Sequence, residues 1–150
     1  MGSKKVKTGK KALLSTLWIF LTVNFIFCDV FTLMHPEDLK NILKGSIDGV
    51  QITQTFLLFF AVVMEISMAM ILVSRFLKPK YNQILNIIFG VLLAIVQIGS
   101  LFVGSITLHY AFFSVVEIAT CISIVWIAWK WKKSKIVAAE TKKSYERKIK

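Results

Sequence analysis

Four long apolar blocks, set apart by polar connections, organise the chain. They run from about Ala12 to Met34, Ile52 to Ser74, Ile84 to Val103 and Leu108 to Trp129. A bilayer core about 30 Å thick needs roughly 20 apolar residues in a helix, so each block is long enough to span once. The alternation of barrel strands is absent. Backbone polar groups in hydrocarbon must pair within their own segment, so each block predicts a continuous helix. Pro36 and Pro79 both fall in connections, and none of the blocks contains proline. The expected fold is all-α: an integral membrane four-helix bundle, one membrane domain over residues 1–150, ending in a basic tail over residues 130–150.

The sixteen-residue connection from His35 to Val50 has a pattern of its own. Pro36 suits a first helical position, Glu37 and Asp38 suit the positive end of a helix dipole, and Gly45 suits the stop. Leu39, Ile42 and Leu43 would share a face, which predicts a short interfacial helix on the outer surface. The connection from Gly104 to Thr107 is so brief that the third and fourth spans must form a tight antiparallel hairpin.

Within the spans, the polar residues keep helical phase. Tyr110, Ser114, Glu117 and Cys121 form one stripe, and Asn86, Gly90, Leu93, Gln97, Ser100 and Gly104 another. Gln54, Ala61 and Glu65 run almost in phase along the second span, and Ser15, Thr22 and Asp29 along the first. Small and polar seams let membrane helices approach closely, so the four seams are expected to face one another. At about 1.5 Å per residue, Asp29, Gln97, Glu117 and Glu65 descend as a column from the outer surface to just past the midplane. Gln54 and Tyr110 stand at its mouth. Asn24 is out of phase with Asp29 and suits helix packing or an oligomer contact.

Composition sharpens this picture. Hydrophobic residues make up 56% of the chain, yet 19 Lys and Arg face only 8 Asp and Glu, for a net charge of +11. All but Lys40 and Lys44 of those positives precede the first span, join the second to the third, or follow the fourth. The positive-inside rule then places both termini in the cytoplasm of a cell-membrane protein. Trp18, Trp126, Trp129 and Trp131 cluster towards the same ends, as an interfacial belt would. The basic tail predicts a helix lying against anionic lipid and no nucleic-acid partner. The first block is too long for a signal-peptide core and lacks a small-x-small cleavage site, so it reads as a retained span. Val6 breaks the myristoylation pattern.

The candidate chemistry lies in groups that hydrocarbon disfavours. Asp29, Glu65 and Glu117 are intramembrane acids, and none of the four blocks contains Lys or Arg. An ionisable residue at the bilayer centre needs a functional or structural reason. Three uncompensated carboxylates close together call for protons or a cation to neutralise them. These three are the expected ion or ligand-binding groups, with Gln97, Gln54 and Tyr110 orienting the ligand by hydrogen bonds. The bland alternative is interhelical hydrogen-bond glue.

Other signals are weak. Cys28 and Cys121 form no CxxC motif and sit at different depths, which disfavours a disulfide or a redox pair. With both histidines at the outer connections and none deep in the membrane, haem ligation is disfavoured; no cofactor is expected, and no metal can be named. His109 reads as an interfacial residue near the mouth, and no catalytic arrangement stands out.

Several runs resemble a family of small bacterial four-span membrane proteins without an assigned activity. They are Leu17 to Phe20, Cys28 to Val30, Gln51 to Gln54, Met64 to Ile66, Ser100 to Gly104 and Val116 to Ala119. The resemblance implies the architecture and contributes no chemistry. Sterol-isomerase-type membrane proteins also carry intramembrane acids, but their motifs are not matched. Together these readings predict a transport or channel-like protein, a homo-oligomer handling protons, cations or a small cationic substrate. The alternatives are a membrane enzyme or binding protein for a lipid-like ligand, and a non-catalytic partner subunit.

Overall fold

The computed structural model describes residues 9–47, 49–102 and 106–149, with side chains as far as Trp131. The positives ahead of Gly9, the myristoylation pattern, Gly104 and the side chains of the basic tail lie outside the described residues. Among the described residues there are five helices and one small hairpin. They are α1 (Lys10–Met34), α2 (Pro36–Leu43), β1 (Ser46–Ile47), β2 (Val50–Gln51), α3 (Gln54–Phe76), α4 (Pro79–Ser100) and α5 (Leu108–Ile149). Four of the helices, with α5 counted to Trp131, are long and apolar enough to cross a membrane. The chain is an all-α, membrane-spanning bundle.

Local chemistry sets the boundaries. Pro36 and Pro79 open α2 and α4 at positions that need no backbone donor. Thr53 caps α3, its hydroxyl oxygen accepting from the Phe56 amide at 3.1 Å. Gly45, with φ +81°, takes the left-handed conformation that ends α2. The backbone then turns into β1 and β2, whose register pairs Ser46 with Gln51 and Ile47 with Val50. The hairpin was not anticipated, although Asp48-Gly49 between two apolar residues is a tight-turn signature. Past Trp129, α5 continues without a break to Ile149.

The four spans form an antiparallel ring in which α1 packs on α3 and α5, and α4 packs on α5. The fourth side, between α3 and α4, is much the slightest. One end of the ring carries α2 and the hairpin. The other carries the start of α1, the α3–α4 connection and Lys130, and is called the basic end below.

Leu14, Trp18, Leu21, Met70, Leu93, Cys121 and Ile124 form the core, most of it in the basic half. α4 and α5 approach closely at Gly90. A Cβ built on Gly90 would stand 2.8 Å from Cγ2 of Val125, so glycine is what allows this approach.

Candidate functional site

The basic half is closed by a hydrogen-bonded knot. Trp18 Nε1 donates to Oδ1 of Asn86 at 2.7 Å, and Ser74 Oγ donates to the same oxygen at 3.1 Å. The Asn86 amide nitrogen donates to the carbonyl and Oδ1 of Asn82, both at 2.8 Å. Asn82 in turn donates to the Ser74 carbonyl at 2.6 Å and the Val73 carbonyl at 3.2 Å. Nearer the middle, the Thr22 and Ser67 hydroxyls meet at 2.7 Å, and Ser15 donates to the Ile71 carbonyl at 3.0 Å. All of these side chains are buried. Trp18 therefore does not belong to an interfacial belt: it is 0% exposed, because its indole is the cross-link from α1 to α4. Trp126 and Trp129 do lie exposed on α5.

The hairpin half encloses a cavity of about 510 Å³. α1 contributes Phe25, Cys28, Asp29 and Thr32 to its wall, and α5 contributes Tyr110 and Glu117. The α4 wall is Leu93, Val96, Gln97 and Ser100. The α3 wall is apolar and strongly aromatic, with Phe56, Phe59 and Phe60. α2 and the hairpin cover the mouth through Asp38, Asn41, Ile42, Ile47 and Val50.

The polar groups inside are arranged unequally. Gln97 donates to Ser114 Oγ at 2.9 Å, and Tyr110 donates to Ser100 Oγ at 2.6 Å, so the α4–α5 side is tied. Ser100 Oγ passes its own hydrogen to the Gln97 carbonyl at 2.7 Å. Glu117 is different. It is only 1% exposed, yet neither carboxylate oxygen has a hydrogen-bond partner. A buried, unpartnered carboxyl costs stability, and such groups call for a specific explanation. Asp29 lines the same cavity from α1 and is exposed, unlike Glu117.

The expected column is thus divided. Asp29, Gln97, Glu117 and Tyr110 come together around the cavity, whereas Gln54 and Glu65 do not line it. Both are exposed on α3. Helical phase explains the correction. The inward side of α3 is the stripe of Phe60, Val63, Ser67, Met70 and Ser74, and Glu65, two residues from Ser67, projects about 200° away from it. Gln54, Ala61 and Glu65 do share a stripe, but it is the outer one. Asn24 spends its amide on the Phe20 carbonyl of its own helix at 2.8 Å.

At the mouth, His35 Nδ1 stands 3.0 Å from Asp38 Oδ2, and the His35 and His109 rings lie 5.8 Å apart. No group of three or more His, Cys, Asp or Glu suited to a metal ion occurs among the described residues. Cys28 and Cys121 are both buried free thiols.

The sequence profile of a family of unknown function, DUF6326, matches residues 4–138. The chain belongs to this family. The match takes in all four spans and every cavity residue. No curated protein matches, and no solved structure matches. The match assigns the family and leaves the chemistry to be argued from the cavity itself.

Proposed function

We propose that the protein is a membrane-embedded binding and carrier protein for a small organic cation with an apolar body, such as an alkylamine. Glu117 is the group that pairs with the charged head. The observation that carries this reading is the unpartnered Glu117 carboxyl, 1% exposed in the wall of a closed-ended cavity. A cavity of about 510 Å³ is in the range of drug-sized ligand sites, which are typically about 300–1,000 Å³. Its aromatic α3 wall suits an apolar body and offers ring faces to a cation. Asp29 supplies a second negative charge near the ligand.

A bare inorganic ion fits less well. Hard cations take about six or more oxygen ligands, and Phe25, Phe56, Phe59 and Leu93 occupy much of the wall. A purely structural role fits less well too, because Gln97 and Tyr110 are tied by hydrogen bonds while Glu117 is left without one. In the empty site, a proton on Glu117 removes the uncompensated charge. An arriving cation then displaces that proton to solvent, one positive charge for another. This exchange would couple binding to proton movement.

The test is calorimetric titration of protein in lipid nanodiscs with hexyltrimethylammonium, hexylammonium and sodium, at two buffer ionisation enthalpies. Saturable binding of the organic cations with proton release, lost in Glu117→Gln, is the expected result. Equal affinity in wild type and Glu117→Gln, or no binding of either organic cation, overturns the reading. Flux of the same cations in proteoliposomes then separates a carrier from a static binder.

A further inference from the structure

Glu65 presents a problem that the cavity does not solve. It lies midway along α3, 11 residues from each end of the helix, on the exposed side of the bundle. In a membrane that position faces the hydrocarbon centre, the most costly depth for an ionisable side chain. Elsewhere the outward surfaces carry residues such as Ile19, Phe27, Ile88, Ile95, Val115 and Ile122, and the polar Thr16, Asn24 and Ser123 there are neutral and bond to carbonyls of their own helix. Among the described residues, Glu65 is the acidic group that lies mid-span and away from the cavity.

The residues around Glu65 are patterned. Leu58, Ala61, Glu65, Met68 and Leu72 follow spacings of 3, 4, 3 and 4, the seam of a paired helix. All five are exposed, with Leu58 at 64%, Met68 at 45% and Leu72 at 61%. Ala61 and Ala69 flank Glu65 one turn to either side, and both are exposed, so another backbone can come close at that level. Towards lipid, Glu65 would stay without a hydrogen-bond partner. The seam fits a helix.

We propose that this face of α3 is the interface of a homodimer, in which the two Glu65 side chains meet at the two-fold axis as neutral carboxyls, each donating one hydrogen bond to the other. Depth selects a second copy as the partner. Two copies inserted in the same direction and related by an axis along the membrane normal place equal residues at equal depth, so Glu65 meets Glu65. A protonated carboxyl is self-complementary, with one donor and one acceptor. The pairing covers both costly groups with a single contact and needs no basic residue. A single polar position in an otherwise apolar seam also fixes register and the number of helices. The interface lies on the face of α3 away from the cavity, so it stands independently of what the cavity binds.

Disulfide trapping in native membranes tests the surface. Single cysteines at Leu58, Met68 and Leu72 are compared with controls at Ile95 and Phe112, with the wild type, whose own thiols are buried, as background. Cross-linked dimer from the α3 positions and none from the controls is expected. Dimerisation in lipid is then measured by single-molecule photobleaching. Glu65→Gln, which keeps a donor and an acceptor, retains the dimer, and Glu65→Leu weakens it about tenfold, as loss of an interhelical hydrogen bond in lipid would. Because Glu65 is exposed on the protomer, both variants keep the wild-type melting profile, which separates lost pairing from misfolding. A wild type that is monomeric at every protein-to-lipid ratio overturns the proposal. So do trapping at Ile95 or Phe112, co-purification with a different membrane protein in place of self-pairing, and a Glu65→Leu dimer as tight as wild type.

Discussion

The Trp18 indole of α1 and the Asn86 amide of α4 sit on diagonally opposed helices of the ring, and a 2.7 Å hydrogen bond joins them through its centre. Neither helix packs substantially on the other. Asn86 also accepts from Ser74 and donates twice to Asn82, so one side chain binds three of the four spans. Trp18→Phe removes one donor and leaves Asn86 Oδ1 paired with Ser74, and is expected to cost about 1 kcal/mol. Asn86→Leu strands the indole N–H, the Ser74 hydroxyl and a carbonyl acceptor together, and is expected to cost about 3 kcal/mol or more. Thermal unfolding in detergent micelles gives both values. Equal small effects would show that the knot is not cooperative.

Much of this arrangement could be read before the fold was known. The stripes on α4 and α5 place Gln97, Ser114 and Glu117 on facing sides, and Gln97 does bond to Ser114. The same logic misdirects α3. There the inward stripe carries only Ser67 and Ser74 as polar groups, weak signals beside Glu65, and polarity is no guide when the strongest polar residue faces outward. Trp18 escaped for a related reason. A tryptophan near a basic end has two solutions, headgroup region or buried partner, and only the i, i+4 pair Asn82 and Asn86 on another helix pointed to the second.

Gly90 gives a packing test. Its missing Cβ leaves room for Val125, which would otherwise stand 2.8 Å away with no open space between. Gly90→Ala gains helix propensity of about 1 kcal/mol but forces this contact, so a net loss of about 1 kcal/mol is expected. Combining it with Val125→Ala relieves the overlap and restores most of the loss. A double mutant no more stable than the sum of its parts would place the strain elsewhere.

The charge asymmetry predicts orientation. Arg75, Lys78, Lys80 and Lys130 share the basic end, opposite Lys40 and Lys44 on the α2 side. With the basic end cytoplasmic, a cysteine at Lys44 in intact cells reacts with a membrane-impermeant maleimide, and one at Lys78 reacts only after the membrane is permeabilised. Cys28 and Cys121 are 5% and 0% exposed and contribute little background. The reverse labelling pattern would invert the topology and turn the cavity mouth to the cytoplasm.

Glu117 sets binding against stability. In the unliganded protein its carboxyl is buried without a partner, so Glu117→Met, of similar length and apolar, is expected to stabilise the bundle by about 1–3 kcal/mol. Asp29 shares the cavity wall but is exposed, so Asp29→Asn should change stability far less. Ligand should reverse the ranking. At a thousand times its dissociation constant, hexyltrimethylammonium would add about 4.1 kcal/mol to wild type and nothing to Glu117→Met. Melting curves of both proteins, with and without the cation, should therefore cross. If Glu117→Met were less stable than wild type without ligand, the carboxyl would have a partner within the fold, and its claim to be the binding group would fail.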